Sequence, residues 1–170
     1  PYKEGLMSTG AFAFLLFSDP SHLEPAVEAV RAMEGVLSWH AVEGHYHLAV
    51  LAADTHPQLE AQLRALPGLA DLHWCAVKQE VVAPRELAPE GVRAVVHMET
   101  DGALLGGMPK HLIEHEALPW EALAITTHGI VGVLRGEMFD SIDRAIDAHL
   151  QPLDGELRLK RDWIIDLTQL

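Results

Sequence analysis

The segment PKHLIEHEALPW (residues 109–120) sets His111, Glu114 and His115 at the spacing H-x-x-E-H. On a helix, residues four apart share a face, so both imidazoles could reach one zinc ion while Glu114 polarises a bound water. That is the chemistry of one group of zinc peptidases. Pro109 and Pro119 confine any helix here to about two to three turns. The acids further on, Glu137 or Asp140 for example, have no fixed spacing to the motif. The expectation is that His111 and His115 hold no catalytic metal and that Leu112, Ile113 and Leu118 simply pack.

A second constellation lies earlier. His45 and His47 alternate across one residue, so on a strand both project to one face. His40 on a partner strand, and His73 with Cys75 on a later one, could join them. Imidazole and thiolate together would suit zinc, copper or haem iron. The competing reading is a polar rim on a hairpin tip, satisfied by water or a partner. No metal site is favoured; His45, His47, His73, His111 and His115 are the candidates. Cys75 reads as a small buried side chain rather than a nucleophile. DGALLGG (101–107) has neither G-x-G-x-x-G spacing nor a Walker lysine and reads as a mobile loop, with Trp120 able to line a pocket beside it.

The elements that must position these residues follow from hydrophobic period. AFAFLLF (11–17) is a strand apolar on both faces. SDPSHLEPAVEAVRAMEG is a helix, with Ser21 and Glu24 at capping-box spacing. VLSWHAVEG and HYHLAVLAAD form a hairpin around Gly44. THPQLEAQLRALPG is a helix capped by Thr55, with Leu59, Leu63 and Leu66 on one face, and LADLHWCAVKQEVV is a strand. The order β-α-β-β-α-β is that of a ferredoxin-like unit. APRELAPEG (83–91) is a linker. The order then repeats: VRAVVHMET, ALAITTH and GIVGVLRG are strands, MFDSIDRAIDAHL a helix with Phe139, Ile142, Ile146 and Leu150 inward, and ELRLKRDWIIDL a closing strand. The expected fold is α+β: tandem ferredoxin-like units with antiparallel sheets and dimeric α+β barrel-like packing. Unit 1 covers 1–82 and unit 2 covers 92–170, with an irregular insert at 101–121.

On the hairpin, Tyr46, Leu48, Val50 and Ala52 should face the helices and His47, Ala49, Leu51 and Ala53 the opposite side. Both sides are largely apolar, which implies a cover from the other half, another subunit or both. Homo-oligomerisation is expected.

Bulk properties narrow the classes. The 170 residues are 49% hydrophobic, enough for a core. Against 25 acidic residues stand 12 basic ones, a net charge of −13 with no basic stripe, which argues against nucleic acid. No apolar run is long enough to span a membrane and no export signal is visible; with one cysteine, the cytoplasm is the expected compartment. Eleven histidines are scattered along the chain.

Residues 10–82 resemble the effector-binding, oligomerising domain of the Lrp/AsnC (feast/famine) regulators. The resemblance rests on Gly35 and Val36, on Glu43, Gly44, His45 and Tyr46, on Asp54, and on Leu66, Pro67 and Gly68. It implies a small-molecule site near the hairpin, with Gly44, His45, Tyr46, His47 and Trp120 as candidate ligand-binding residues. His47 stands where the family has an acidic residue, so an amino-acid effector is not implied. The family's helix-turn-helix has no counterpart in these residues, so neither is DNA binding. A looser likeness is to small chaperones that bind twin-arginine signal peptides, which an acidic chain would suit. The resulting expectation is a regulatory or accessory, oligomerising protein that binds a small molecule or protein segment, with no claim on the cofactor. The alternative is a small enzyme of the α+β barrel type using histidines for haem, metal or tetrapyrrole chemistry; the second alternative is a peptide-binding chaperone.

Overall fold

The computed structural model describes residues 9–54, 56–84, 90–99, 119–150 and 158–165. The chain divides into two compact units, Pro1–Ala76 with Ile164–Leu170, and Val77–Trp163.

The first unit contains β1 (Thr9–Phe17), α1 (Leu23–Ala32), β2 (Val36–Glu43), β3 (Leu48–Ala53), α2 (Leu59–Arg64) and the first part of β4 (Leu69–Val82). Its strands lie in the order β2-β3-β1-β4, all neighbours antiparallel. One face carries Ala11, Ala13, Leu15, Leu48, Val50 and Ala52 against Ala26, Val27 and Val30 of α1 and Leu59 and Leu63 of α2. The capping box expected at Ser21 is replaced by a tighter device. Asp19 accepts a hydrogen bond from the Ser21 N–H (2.8 Å), and a 3₁₀ turn at Pro20–His22 leads into α1. Proline at the first position of that turn has no N–H to satisfy, so the start shifts towards Asp19. Thr55 lies outside the described residues.

The second unit contains the remainder of β4, β5 (Val92–Glu99), β6 (Trp120–Thr126), β7 (Gly129–Gly136), α3 (Phe139–His149) and most of β8 (Arg158–Ile165). Its order is β8-β5-β7-β6-β4, again antiparallel. Numbered separately, β1–β4 and β5–β8 both run in the order 4-1-3-2, and α2 and α3 each join the third strand of a set to its fourth. The fold is α+β, built from tandem ferredoxin-like units. The segment joining β5 to β6, where the first helix of this unit would fall, lies outside the described residues.

Ile142, Ile146 and Leu150 at the inner side of α3 pack on Ala94, Val96, Met98, Leu123, Ile130 and Leu134. Each such side chain contributes about 1.5–3 kcal/mol by leaving water. Phe139, expected inward with them, is 52% exposed. It sits at the first position of the helix and meets the edge of Trp163 on β8, with ring centroids 4.8 Å apart.

Candidate functional site

In the first unit, residues directly opposite on paired strands project to the same side. The face away from the helices therefore carries two rows. One is His40, Ala49, Phe14 and His73; the other is Ser38, Leu51, Phe12 and Cys75. His40 and His73 stand on outer strands, three strand spacings or about 14 Å apart, so they cannot serve one small ligand together. His73 and Cys75 are neighbours on β4, and their ligating atoms lie within 4.8 Å of one another. Trp74 between them turns to the opposite face and packs against the helix-side core, which fixes the orientation of both.

The hairpin tip departs from simple alternation. β3 begins only at Leu48, so residues 44–47 lie outside the strand and its parity does not extend to them. Tyr46, expected towards the helices, instead lies against Phe14, with ring centroids 5.3 Å apart. His47, expected on the same side as Ala49, instead faces Phe17, and its Nδ1 accepts a hydrogen bond from the Phe17 N–H (3.0 Å). That bond satisfies a backbone donor at the end of β1, where the ladder stops. His45 is exposed. His47 is thus not brought onto the face that bears His73 and Cys75. His111 and His115, and the stretch 101–108 expected to be mobile, lie outside the described residues.

In the second unit the face away from α3 is charged and yet partly or fully buried. Alternation along β5 sends Arg93, Val95, His97 and Glu99 to it. Val131, Val133 and Arg135 join from β7, and Lys160 and Asp162 from β8. At β6 the register slips between Trp120 and Ala122, leaving Glu121 as the extra residue of a bulge. The bulge aims Glu121 across β7 at Arg93. Arg93 Nε donates to Glu121 Oε2 at 2.7 Å and its second nitrogen to Oε1 at 3.4 Å, with both residues 7% exposed. Arg135, directly opposite Arg93, brings a second guanidinium to 3.9 Å from the same carboxylate. Further along the face, Lys160 Nζ donates to Glu99 Oε1 at 3.1 Å, and the same oxygen lies 4.0 Å from Nδ1 of His97. His97 is 2% exposed.

Trp120 lies on the helix side, and the segment beside which it is expected to line a pocket falls outside the described residues. Trp120 packs against the core and lies over Gly132, where a Cβ would run into the indole. Arg161 pairs with Asp143 of α3 and holds its guanidinium 4.2 Å from the Trp163 ring centre.

Sequence reasoning passed over both charged sets. The alternation of VRAVVHME contained the signal for Arg93, His97 and Glu99. Nothing in the sequence announced the bulge that aims Glu121.

No protein-family model matches the chain, and no curated protein matches it in sequence. Its similarity is to solved structures. A chlorite dismutase variant from Candidatus Nitrospira defluvii aligns over 94% of this chain and 92% of its own, with TM-score 0.55 and 12% identity. A heme-binding protein from Thermus thermophilus aligns over 98% and 95%, with TM-score 0.51 and 13% identity. A protein from Lactobacillus acidophilus NCFM, provisionally assigned as a monooxygenase, aligns over 94% of each chain with TM-score 0.53 and 8% identity. At these identities the likeness is one of fold.

These structures overturn the resemblance to Lrp/AsnC regulators and, with it, the regulatory or accessory reading. The physical reason lies in the residues that carried it. Gly35 and Gly68 adopt φ of +89° and +76°, a region costly for any side chain, so they report turns that ferredoxin-like units share. The alternative of a small α+β barrel enzyme agrees with these neighbours in fold. No described helix is long and apolar enough to cross a membrane.

Proposed function

We propose that the chain binds a haem or related tetrapyrrole and uses histidine in its chemistry. The observation that supports this reading is the full-length likeness in fold to proteins named as chlorite dismutases and as heme-binding.

The described residues meet part of what a haem requires. Iron takes an imidazole whose orientation is set by a second group, commonly a carboxylate. His97 has that neighbour in Glu99, itself held by Lys160. Val95 and Val131 beside it are buried. On the helix side of the same sheet Val96, Met98, Leu123 and Ile130 carry α3, and no described histidine of the strands stands there. The donor chemistry at His97 fits, and no reaction step is assigned to a bound haem. The candidate ligands are His97 and, from the sequence between β5 and β6, His111 and His115.

The test is titration of the purified chain with ferric haem, followed through the Soret band. One equivalent should bind, with a band shift that one of the variants His97→Ala, His111→Ala or His115→Ala abolishes. A chain that leaves the haem spectrum unchanged, or whose shift survives all three variants, would remove this reading. A homo-oligomer remains part of the proposal, to be read by sedimentation in the same samples.

A further inference from the structure

We propose that His73 and Cys75 form part of a binding site for a soft d¹⁰ cation, zinc(II) or copper(I), carried by the first unit. The proposal stands apart from haem binding and does not need it. The two residues are adjacent on one face of β4, opposite Phe14 and Phe12 of β1. Their rotation about the strand is set by Trp74, which is anchored in the core on the other face. A ring nitrogen of His73 and Cys75 Sγ lie within 4.8 Å. Zinc–sulfur and zinc–imidazole bonds of about 2.3 and 2.0–2.1 Å at a tetrahedral angle set two donors of one ion about 3.6 Å apart. A rotamer adjustment that shortens this separation closes the pair on a single cation.

The setting selects the kind of ion. Thiolate with imidazole favours zinc or copper(I) over magnesium or calcium, which take oxygen donors. Cys75 is 0% exposed and lies beside apolar side chains, where a bare thiolate would be costly. A bound cation would compensate the thiolate charge. The S–H bond breaks, the sulfur–metal bond forms, and the proton leaves to solvent. The net charge of −13 favours cation capture over anion capture throughout. Further donors complete the coordination shell, and alanine variants at each remaining histidine identify them.

The experiment uses the full chain, reduced and stripped with a chelator, and titrates it with cobalt(II) as a spectroscopic stand-in for zinc. A sulfur-to-cobalt charge-transfer band should grow and saturate at one equivalent, with proton release, and zinc should displace it. His73→Ala should weaken cobalt binding by at least about tenfold, an affinity loss typical of a disturbed metal site. Cys75→Ser should remove the band. If the cysteine variants fail to fold, the parent still decides, because Cys75 is the single cysteine and no other residue can give a thiolate band. Cobalt binding without that band would be adventitious histidine binding and would overturn the proposal, as would a band indifferent to His73→Ala.

Discussion

Glu121→Gln tests the account of the buried charged face. In the parent, the Arg93 guanidinium faces the Glu121 carboxylate at 2.7 and 3.4 Å, with Arg135 approaching at 3.9 Å and half-exposed. The glutamine keeps the shape and one acceptor oxygen but removes the negative charge. Arg93 then remains buried as an uncompensated cation beside a second guanidinium, directly opposite it on β7. Breaking one partner of a buried pair costs about 3–5 kcal/mol, whereas a hydrophobic replacement of both is often neutral. Against a total stability of about 5–15 kcal/mol for a domain, this is a large loss. Urea unfolding followed by tryptophan fluorescence should therefore show a much lower midpoint for Glu121→Gln at an unchanged slope. The double variant Arg93→Met, Glu121→Leu should recover most of it. A cost below about 1 kcal/mol for the single variant, the range of an exposed ion pair, would show that water screens the site and refute the reasoning.

Gly132→Val should cost about 1–3 kcal/mol, because its side chain would displace Trp120 from the core; a blue-shifted, unperturbed tryptophan emission at parental stability would contradict this. His47→Ala leaves the Phe17 N–H without its acceptor and should cost about 1–3 kcal/mol, with faster amide exchange at the end of β1 as the specific readout. The Ser21 N–H holds the Asp19 carboxyl below its ordinary range. A lowered folded value gives stability that is present above the unfolded value and lost as pH falls through the folded one. Asp19→Asn, which keeps the acceptor without the charge, should therefore flatten the acid limb of urea midpoint against pH. Leu51→Glu tests the oligomer. Leu51 is already 7% exposed in the single chain, so the variant should unfold rather than yield a folded, smaller species in sedimentation.

The architecture was legible because hydrophobic period is a local signal. β4 and the strands of the second unit fall where their alternation places them, and Leu59, Leu63, Ile142 and Ile146 turn inward as their spacing requires. The errors fall where a residue's direction depends on backbone outside a regular element. Tyr46 and His47 obey strand parity only if β3 reaches them, and it stops at Leu48. Phe139 obeys the helical stripe, but the first turn of α3 projects past the sheet core and its ring finds Trp163 instead.

The same distinction explains why the site was harder to read than the fold. Local spacing brought attention to histidines two and four apart, yet the contacts that matter chemically join residues far apart in the chain. Arg93 reaches Glu121 from β5 to β6, and Lys160 reaches Glu99 from β8 to β5. Both depend on strand order, 4-1-3-2, which interleaves the chain so that β5 lies between β7 and β8. Given that order and register, His97, Glu99 and Lys160 follow from alternation alone, since opposite residues share a face. Glu121 does not, because a bulge adds a residue that no alternation predicts. The His73–Cys75 pair is the exception, a chemically suggestive neighbourhood that is also local. It was visible as spacing on a strand, and what the fold adds is Trp74, whose place in the core decides which way both ligands point.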